Sequence, residues 1–369
     1  MTNVLGRISA VRVRTLADGL SGGNDNFLLL RLIAASLVIY GHGPAFTRLK
    51  GWPDLFTWLG WGTYSGDLAV DVFFVASGFM IAGSYLRRKH LLDFLWARFI
   101  RIYPAYAICI FALAFILGPI YSDLPLDAYY RDHDVIRYVS RNISLSPRLI
   151  WTLPGVFGNN HIPYVNGSIW TLPAEVRMYL WVALGGVTGI LSWRNGSNLL
   201  LAALLIVGLW APSHLPLVPL AVYVRLAGYF GLGVFCYVNR AWIPVGWPWT
   251  TGFALLAWLL HGTMFYPFAF GLALTMFVFA FGYATPWYGF NRLGDYSYGL
   301  YLWGFPMQQV VAYHVPSFGP FRNALVAWAL ALAIAIFSWH VVEKPLLKLK
   351  QIPSRVHAKL RLFVQQADS

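Results

Sequence analysis

The chain has 369 residues, of which 58% are hydrophobic and only 11% are Asp, Glu, Lys or Arg. Soluble globular domains carry about a quarter charged residues, so this composition excludes an ordinary soluble fold. The formal net charge of +13 does not indicate a nucleic-acid partner, because most of the basic residues fall at the ends of predicted helices or in loops.

Apolar stretches of about eighteen or more residues recur between Phe27 and Val342, and each is long enough to cross a hydrocarbon core of roughly 30 Å as a helix. Continuous apolar runs, rather than period-two alternation, favour helices over a closed barrel. We therefore predict an all-α, polytopic membrane protein with about ten transmembrane helices. The predicted helices run from Phe27 to Ala45, Gly66 to Leu86, Phe99 to Gly118, Ser168 to Leu191, Asn198 to Pro212, Leu220 to Val238, Trp249 to Gly262, Met264 to Ala284, Leu293 to Tyr313 and Phe321 to Val342.

The distribution of Lys and Arg predicts the orientation. The first 26 residues are basic but lack the apolar core and cleavage site of a signal peptide. With a cytoplasmic N-terminus, most of the 27 basic residues lie inside, and only a minority, such as Arg48 and Lys50, lie outside. Both termini are then cytoplasmic. The chain divides into a cytoplasmic N-terminal segment, a membrane domain and a basic cytoplasmic tail, at residues 1–26, 27–345 and 346–369.

One predicted loop, from Pro119 to Gly167, is too long for a simple turn and interleaves polar residues with Tyr, Trp and Pro. Loops of this length are often functional or disordered. The aromatic content favours a cap that faces the substrate.

Ionisable residues inside predicted helices are costly in lipid and are therefore functional candidates. They are Arg31, His42, Asp71, Glu175, Arg177, Arg225, Asp295 and His340. The eleven steps from Arg31 to His42 leave the two side chains roughly 20° apart on one helical face and about 16 Å apart along the axis. The alternative is that Arg31 extends to the membrane interface and His42 lies at a helix end.

Asp71 and Glu175 fall at about the same predicted depth as His42, so three helices could bring these groups together. A carboxylate beside a histidine fixes its tautomer and raises its basicity, which suits a general base for a sugar hydroxyl. Alternatively, both acids bridge helices, paired with Arg177 or Arg225. Asp295 and His340 are expected to be structural groups.

A basic cluster near the predicted cytoplasmic face suits an anionic ligand that carries phosphate, because guanidinium binds phosphate in a bidentate fork. The positive-inside rule alone explains residues 87–89. Arg98 and Arg101, three residues apart on one helical face, are better candidates for ligand binding.

Together, these motifs resemble the integral-membrane acyltransferase 3 family, which includes enzymes that O-acetylate bacterial surface polysaccharides and related glycans. The resemblance covers about Asn26 to Pro345. Its elements are Arg31 and His42 separated by ten residues, "VDVFFVASGF" from Val70 to Phe79, "RFIRIYP" from Arg98 to Pro104, "SIWTLPAEVRMY" from Ser168 to Tyr179, "LGDYSYGLYLWGFP" from Leu293 to Pro306 and "VEKP" from Val342 to Pro345.

The resemblance implies acetyl-CoA as the donor on the cytoplasmic face and an acceptor at or near the opposite face. It implies that His42 is the essential histidine, that Arg31 is its partner in the same motif, and that Glu175 is the acid of the Trp-x-Leu-x-x-Glu motif. Arg98 and Arg101 match the basic pair expected to meet the CoA phosphates.

Two small residues match the resemblance, and the sequence departs from the family pattern at Gly304, Val176 and Arg177. Ser77 and Gly78 would let an acyl-pantetheine arm approach closely, although helix packing is the alternative for Gly78. At Gly304 many family members have a histidine, which leaves the role of the ninth helix open.

The sequence therefore predicts a multi-pass O-acetyltransferase of the bacterial inner membrane that acts on a hydroxyl of a cell-surface or exopolysaccharide glycan. The predicted catalytic residues are His42, Asp71 and Glu175, and Arg31, Arg98, Arg101 and Ser77 are predicted to bind the donor. His42 either deprotonates the acceptor or briefly carries the acetyl group.

The expected partners are a glycan acceptor, which can be lipid-linked, membrane lipid and polysaccharide assembly proteins. No nucleic acid is expected, and Cys109 and Cys236 lack the spacing of a metal site or a disulfide framework. The alternatives are a proton-coupled transporter of a small anion or sugar, and a structural partner in a polysaccharide assembly complex.

Overall fold

The computed structural model describes residues 13–47, 54–215 and 217–353, and in these ranges the regular structure is helical apart from two isolated bridges. Ten helices of 13 residues or more lie within these ranges in the predicted order, which confirms the all-α fold. We number them α1 (Phe27–His42), α2 (Ser65–Arg88), α3 (Leu91–Ala112), α4 (Leu172–Val187), α5 (Arg194–Trp210), α6 (Val222–Val238), α7 (Trp247–Leu259), α8 (Tyr266–Ala284), α9 (Ser297–His314) and α10 (Pro320–Ser338).

Five helical spans in the described part of the chain are long and apolar enough to cross a membrane. They are Phe27–Phe46, Ser65–Arg88, Leu91–Tyr121, Tyr266–Ala284 and Pro320–Gln351. The chain is therefore a membrane protein, while ten crossings and cytoplasmic termini stay predictions. Arg48 and Lys50, residues 1–12 and the tail from residue 354 lie outside the described residues.

The third helix begins at Leu91 rather than at the predicted Phe99. Lys89 ends α2 in the left-handed conformation, with a φ of 53°, and His90 then leads directly into α3. A left-handed residue is a common way to stop a helix and reverse the chain. Arg98 therefore lies well inside α3, and not at its start.

The ninth helix begins at Ser297 rather than at the predicted Leu293. Gly294 has a φ of 139°, a conformation that other residues rarely adopt and that a helix cannot accommodate. Asp295 consequently lies in the turn before α9, and not inside a helix.

Helix α2 lies at the centre of the fold, and glycines bring its neighbours close to it. A Cβ atom on Gly78 would lie 2.0 Å from the carbonyl oxygen of Phe230 in α6, and one on Gly233 would lie 2.1 Å from the carbonyl oxygen of Val75. The backbones of α2 and α6 therefore pack against each other directly, as small residues allow in membrane proteins. This packing is the alternative that the sequence offered for Gly78.

The long loop between α3 and α4 is ordered and includes two short helices, Leu126–Arg131 and His133–Ile143. The side chain of Gln309 in α9 donates to the carbonyl oxygens of Ile162, at 2.7 Å, and of Tyr164. The side chain of Asn166 donates to the carbonyl oxygen of Leu302 at 2.9 Å. These contacts fasten the loop to α9. Its role as a substrate-facing cap stays a prediction.

Replacing Gly78 with Ala should destabilise the fold, because the new methyl group forces α2 and α6 apart. We expect the free energy of unfolding to fall by roughly 1–3 kcal/mol, the usual cost of overpacking. The matched control is Gly252→Ala in α7, where a Cβ meets no atom within 4 Å. Thermal unfolding of the purified protein in detergent measures both variants, and equal midpoints would contradict the packing described for Gly78.

Candidate active site

Arg31 and His42, the predicted pair on α1, both contact the segment that contains α9: Arg31 contacts the turn before this helix, and His42 contacts the helix itself. Nη1 of Arg31 lies 2.8 Å from Oδ2 of Asp295, in the turn before α9. The ring of His42 lies edge-on to that of Phe305 in α9, with the centroids 5.4 Å apart. Arg31 and His42 therefore share the side of α1 that faces α9, as their spacing predicted.

At the Arg31 end of α1, two arginines and two acids form one ion-pair network. Asp295 accepts from both Arg31 and Arg101, and Arg101 Nη1 lies 3.0 Å from Glu343 Oε2. Ser297 donates to the other oxygen of Asp295 at 2.6 Å. The side chain of Asp295 is only 10% exposed and that of Glu343 only 3%, so each buried charge must be stabilised by its ion-pair partners.

Glu343 reaches this network because α10 does not continue as a regular α-helix. The segment Trp339–Glu343 is π-helical, and such a turn adds a residue and changes the direction of the side chains that follow. The predicted donor-binding residues Arg31 and Arg101 therefore have their charges balanced within the protein. Their role in donor binding stays a prediction.

Arg98 differs from these arginines, although it lies one helical turn from Arg101 in α3. In the described part of the chain it forms no salt bridge, and its buried Nε has no hydrogen-bond partner. Its electrostatic surroundings include Tyr179 and Glu175, and also the like-charged Arg88 and Arg101. Arg98 thus keeps hydrogen-bond donors for a ligand.

Glu175 lies in the first turn of α4, which begins at Leu172 with Pro173 in its first turn. Proline is favoured there because its missing N–H would have no helical partner. One Glu175 oxygen accepts from the hydroxyls of Tyr179 and of Ser77, the latter at 3.3 Å. The structure therefore brings together Glu175 and Ser77, which were predicted for different roles.

His42 lies at the end of α1 and is half-buried. Its Nδ1 atom is buried, and no described residue offers it a hydrogen bond. Phe305 packs against the ring of Phe46 as well, at 4.7 Å between centroids. A Cβ on Gly167, at the end of the long loop, would lie 2.5 Å from the Phe305 ring. The loop therefore reaches the surroundings of His42.

Asp67 is the acid that the fold brings to the His42 end of α1, because it follows Gly66, whose backbone nitrogen would lie 2.4 Å from a Cβ atom on Gly41, the residue before His42. Asp67 lies in the first turn of α2. Its carboxylate lies 2.9 Å from Nη2 of Arg225, whose Nη1 lies 3.5 Å from Asp71. The expected grouping of His42 with Asp71 and Glu175 is therefore not what the contacts show. Asp71 instead pairs with Arg225, the alternative partner.

Sequence reasoning missed Asp67, because an acid so near a helix start resembles a first-turn acid. A signal was present, since Asp67 and Asp71 are four residues apart and thus share one helical face. Tyr64 packs over this end of α2, and burial, together with the charge of Asp67, raises the pKa of Tyr64 to about 12. Its hydroxyl stays protonated at neutral pH.

Gly304 packs against α1. A Cβ there would lie 2.5 Å from Cγ1 of Ile39, so a histidine at this position would displace one of the two helices. Within the described residues, no group of His, Cys, Asp and Glu is arranged to hold a metal ion.

Comparison with known proteins identifies the chemistry. The model of the acyltransferase 3 family, described as an acyltransferase domain, matches residues 24–342. The chain is 28% identical over 329 residues to an O-acetyl transferase of Shigella phage Sf6, covering 85% of this chain and 93% of that protein. It is 26% identical over 370 residues to Nodulation protein 10 of Rhizobium leguminosarum bv. viciae, covering 89% and 95%. No solved structure matches significantly.

A helical membrane protein whose family model describes an acyltransferase domain over most of its length is a membrane acyltransferase. The chain belongs to the acyltransferase 3 family. The resemblance carried by its motifs is confirmed.

Replacing Asp295 with Asn should destabilise the protein strongly, because it leaves Arg31 and Arg101 with too little negative charge. Breaking a buried ion pair costs roughly 3–5 kcal/mol. The control is Asp134→Asn, which breaks a pair with Arg137 whose side chains are both 59% exposed. That change should cost less than about 1 kcal/mol. The free energy of unfolding of both variants is measured in mixed detergent micelles, and equal losses of stability would argue against a network that stabilises the fold.

Proposed function

We propose that the protein transfers an acetyl group from cytoplasmic acetyl-CoA to a hydroxyl of a cell-surface or exopolysaccharide glycan, in the bacterial inner membrane. The observation that carries this proposal is His42 at the end of α1, whose buried Nδ1 has no hydrogen-bond partner among the described residues and which lies where α1 meets the start of α2. A buried polar atom without a partner requires an explanation, and a catalytic role is one. The O-acetyl transferase of phage Sf6 supports an acetyl group and an oxygen acceptor.

Arg98 is the residue best suited to hold the phosphates of the donor. Arg98 is half-buried and forms no salt bridge with any carboxylate of the described residues, and arginine binds phosphate in a planar fork. Arg31 and Arg101 stabilise this side of the bundle through Asp295, so they support Arg98 indirectly. In this proposal, Ser77 and Glu175, which contact each other, line the path of the acyl-pantetheine arm from Arg98 along α2.

His42 acts on the acceptor in one of two ways. As a general base, it takes the proton of the acceptor hydroxyl while the new C–O bond forms and the C–S bond of the thioester breaks. The imidazolium then gives that proton to the departing thiolate. As a nucleophile, the imidazole attacks the thioester carbonyl, so that a C–N bond forms while the C–S bond breaks and the thiolate leaves with the imidazole proton. The acceptor hydroxyl then attacks the acetyl group, the C–N bond breaks, and the hydroxyl proton returns to the imidazole. Intact-protein mass spectrometry after incubation with acetyl-CoA alone separates the routes, since only the second adds an acetyl group to the protein.

The proposed partners follow from this reaction. The acceptor glycan, which can be lipid-linked, approaches from the side where the long loop reaches Phe305. Membrane lipid surrounds the apolar helices, and polysaccharide assembly proteins deliver or receive the glycan.

Replacing His42 with Ala should abolish acetyl transfer, with a loss of about a hundredfold or more, because general-base catalysis contributes that much. Membranes that contain the protein and the native glycans are incubated with labelled acetyl-CoA, and label in the glycan fraction is counted. His133→Ala, an exposed histidine of the long loop, is the control and should retain activity. Solute uptake by liposomes without acetylated product would favour a transporter, and full activity of the His42 variant would favour an assembly protein.

Replacing Arg98 with Gln should raise the KM for acetyl-CoA by roughly tenfold or more, since hydrogen bonds to charged groups contribute about 1.5–3 kcal/mol. Arg194→Gln is the control, because Arg194 instead stacks over the ring of Trp242 at 5.3 Å. The KM is measured in the same membranes, and calorimetry with CoA on the purified protein checks binding directly. An unchanged KM would remove Arg98 from the donor site.

A further inference from the structure

The end of α1 meets the start of α2 through two glycines. A Cβ on Gly41 would lie 2.4 Å from the backbone nitrogen of Gly66, closer than any side chain allows. His42 directly follows Gly41, and Asp67 directly follows Gly66. The two glycines therefore bring close together the backbones that carry the imidazole and the carboxylate.

Arg225 holds Asp67 from the other side. Its two terminal nitrogens lie 2.9 Å from Asp67 and 3.5 Å from Asp71, so one guanidinium spans two acids on one face of α2. The Asp71 side chain is 3% exposed and that of Asp67 is 32% exposed. Of these two acids, Asp67 is the more exposed, and it directly follows the glycine that contacts the end of α1 beside His42.

We propose that Asp67 is a positioning residue for His42, whose carboxylate stabilises the imidazolium that forms when His42 takes the proton of the acceptor hydroxyl, and that Arg225 keeps this carboxylate in place. The inference rests on the proposed function and deepens it. It assigns a role to an acid that lies outside the motifs of the family resemblance.

The proton transfers from the hydroxyl to the imidazole and on to the thiolate need no further reactant. The hydroxyl proton moves to the imidazole, stays there while the acetyl group changes partners, and leaves with the thiolate. Asp67 remains ionised throughout and accepts no proton. Its effect is electrostatic, and the partial burial of both groups makes this effect stronger than it would be in open water.

The test compares Asp67→Asn, Asp67→Glu and a matched control in purified protein reconstituted with native membrane glycans and labelled acetyl-CoA. Asp127→Asn is the control, since Asp127 is also a first-turn acid but lies in an exposed helix of the long loop. We expect Asp67→Asn to lower kcat by roughly 10–100-fold while the KM for acetyl-CoA changes less than about threefold. Asp67→Glu should recover most of the activity, and Asp127→Asn should behave as the native protein.

Two outcomes would overturn the assignment. One is a kcat of Asp67→Asn within about twofold of the native value. The other is a loss shared by Asp67→Asn and Asp67→Glu together with a lowered thermal midpoint, which would make Asp67 a structural residue. Failure of the proposed function is distinguishable from both, because native protein would then transfer no acetyl group, or His42→Ala would transfer it at the native rate.

Discussion

The constraint that organises this protein is the cost of an uncompensated charge in an apolar bundle. Arg31 and Arg101 are matched by Asp295 and Glu343, and Arg225 is matched by Asp67 and Asp71. Among the buried polar atoms that have no hydrogen-bond partner within the described residues are Nε of Arg98 and Nδ1 of His42. The electrostatic surroundings of Arg98 include Glu175, and Asp67 lies near the end of α1 that carries His42. This arrangement suits Arg98 for binding an anion and His42 for accepting and donating a proton.

The charged pairs can form only because the helices approach closely. Gly78 and Gly233 let α6 lie directly on α2, which brings Arg225 to the two acids of α2. Gly41 and Gly66 do the same for α1 and α2. Without a hydrophobic driving force between helices in lipid, such close packing and the polar contacts it permits must stabilise the bundle. The small residues and the charged residues therefore depend on each other.

Much of this could be predicted from the sequence. Apolar runs placed the ten long helices in order, and helical periodicity placed Arg31 and His42 on one face. The observed partners of Asp71 and Glu175, which are Arg225 for the first and Ser77 and Tyr179 for the second, could not be predicted, because depth along a helix axis says nothing about rotation around it. Turns mattered too. Gly294 moves Asp295 out of α9, and a π-helical turn directs Glu343 inward, and neither effect follows from hydrophobicity alone.

The network of Arg31, Arg101, Asp295 and Glu343 joins four segments that are far apart in sequence, from the first long helix to the end of the last. Because each member balances the charge of another, a substitution of any one of them alone during evolution would leave an unpaired charge in the bundle. Substitutions at these four positions should therefore arise as coordinated exchanges. That coupling would keep the opening and closing segments of the chain evolving as one unit, even while the loops between them diverge.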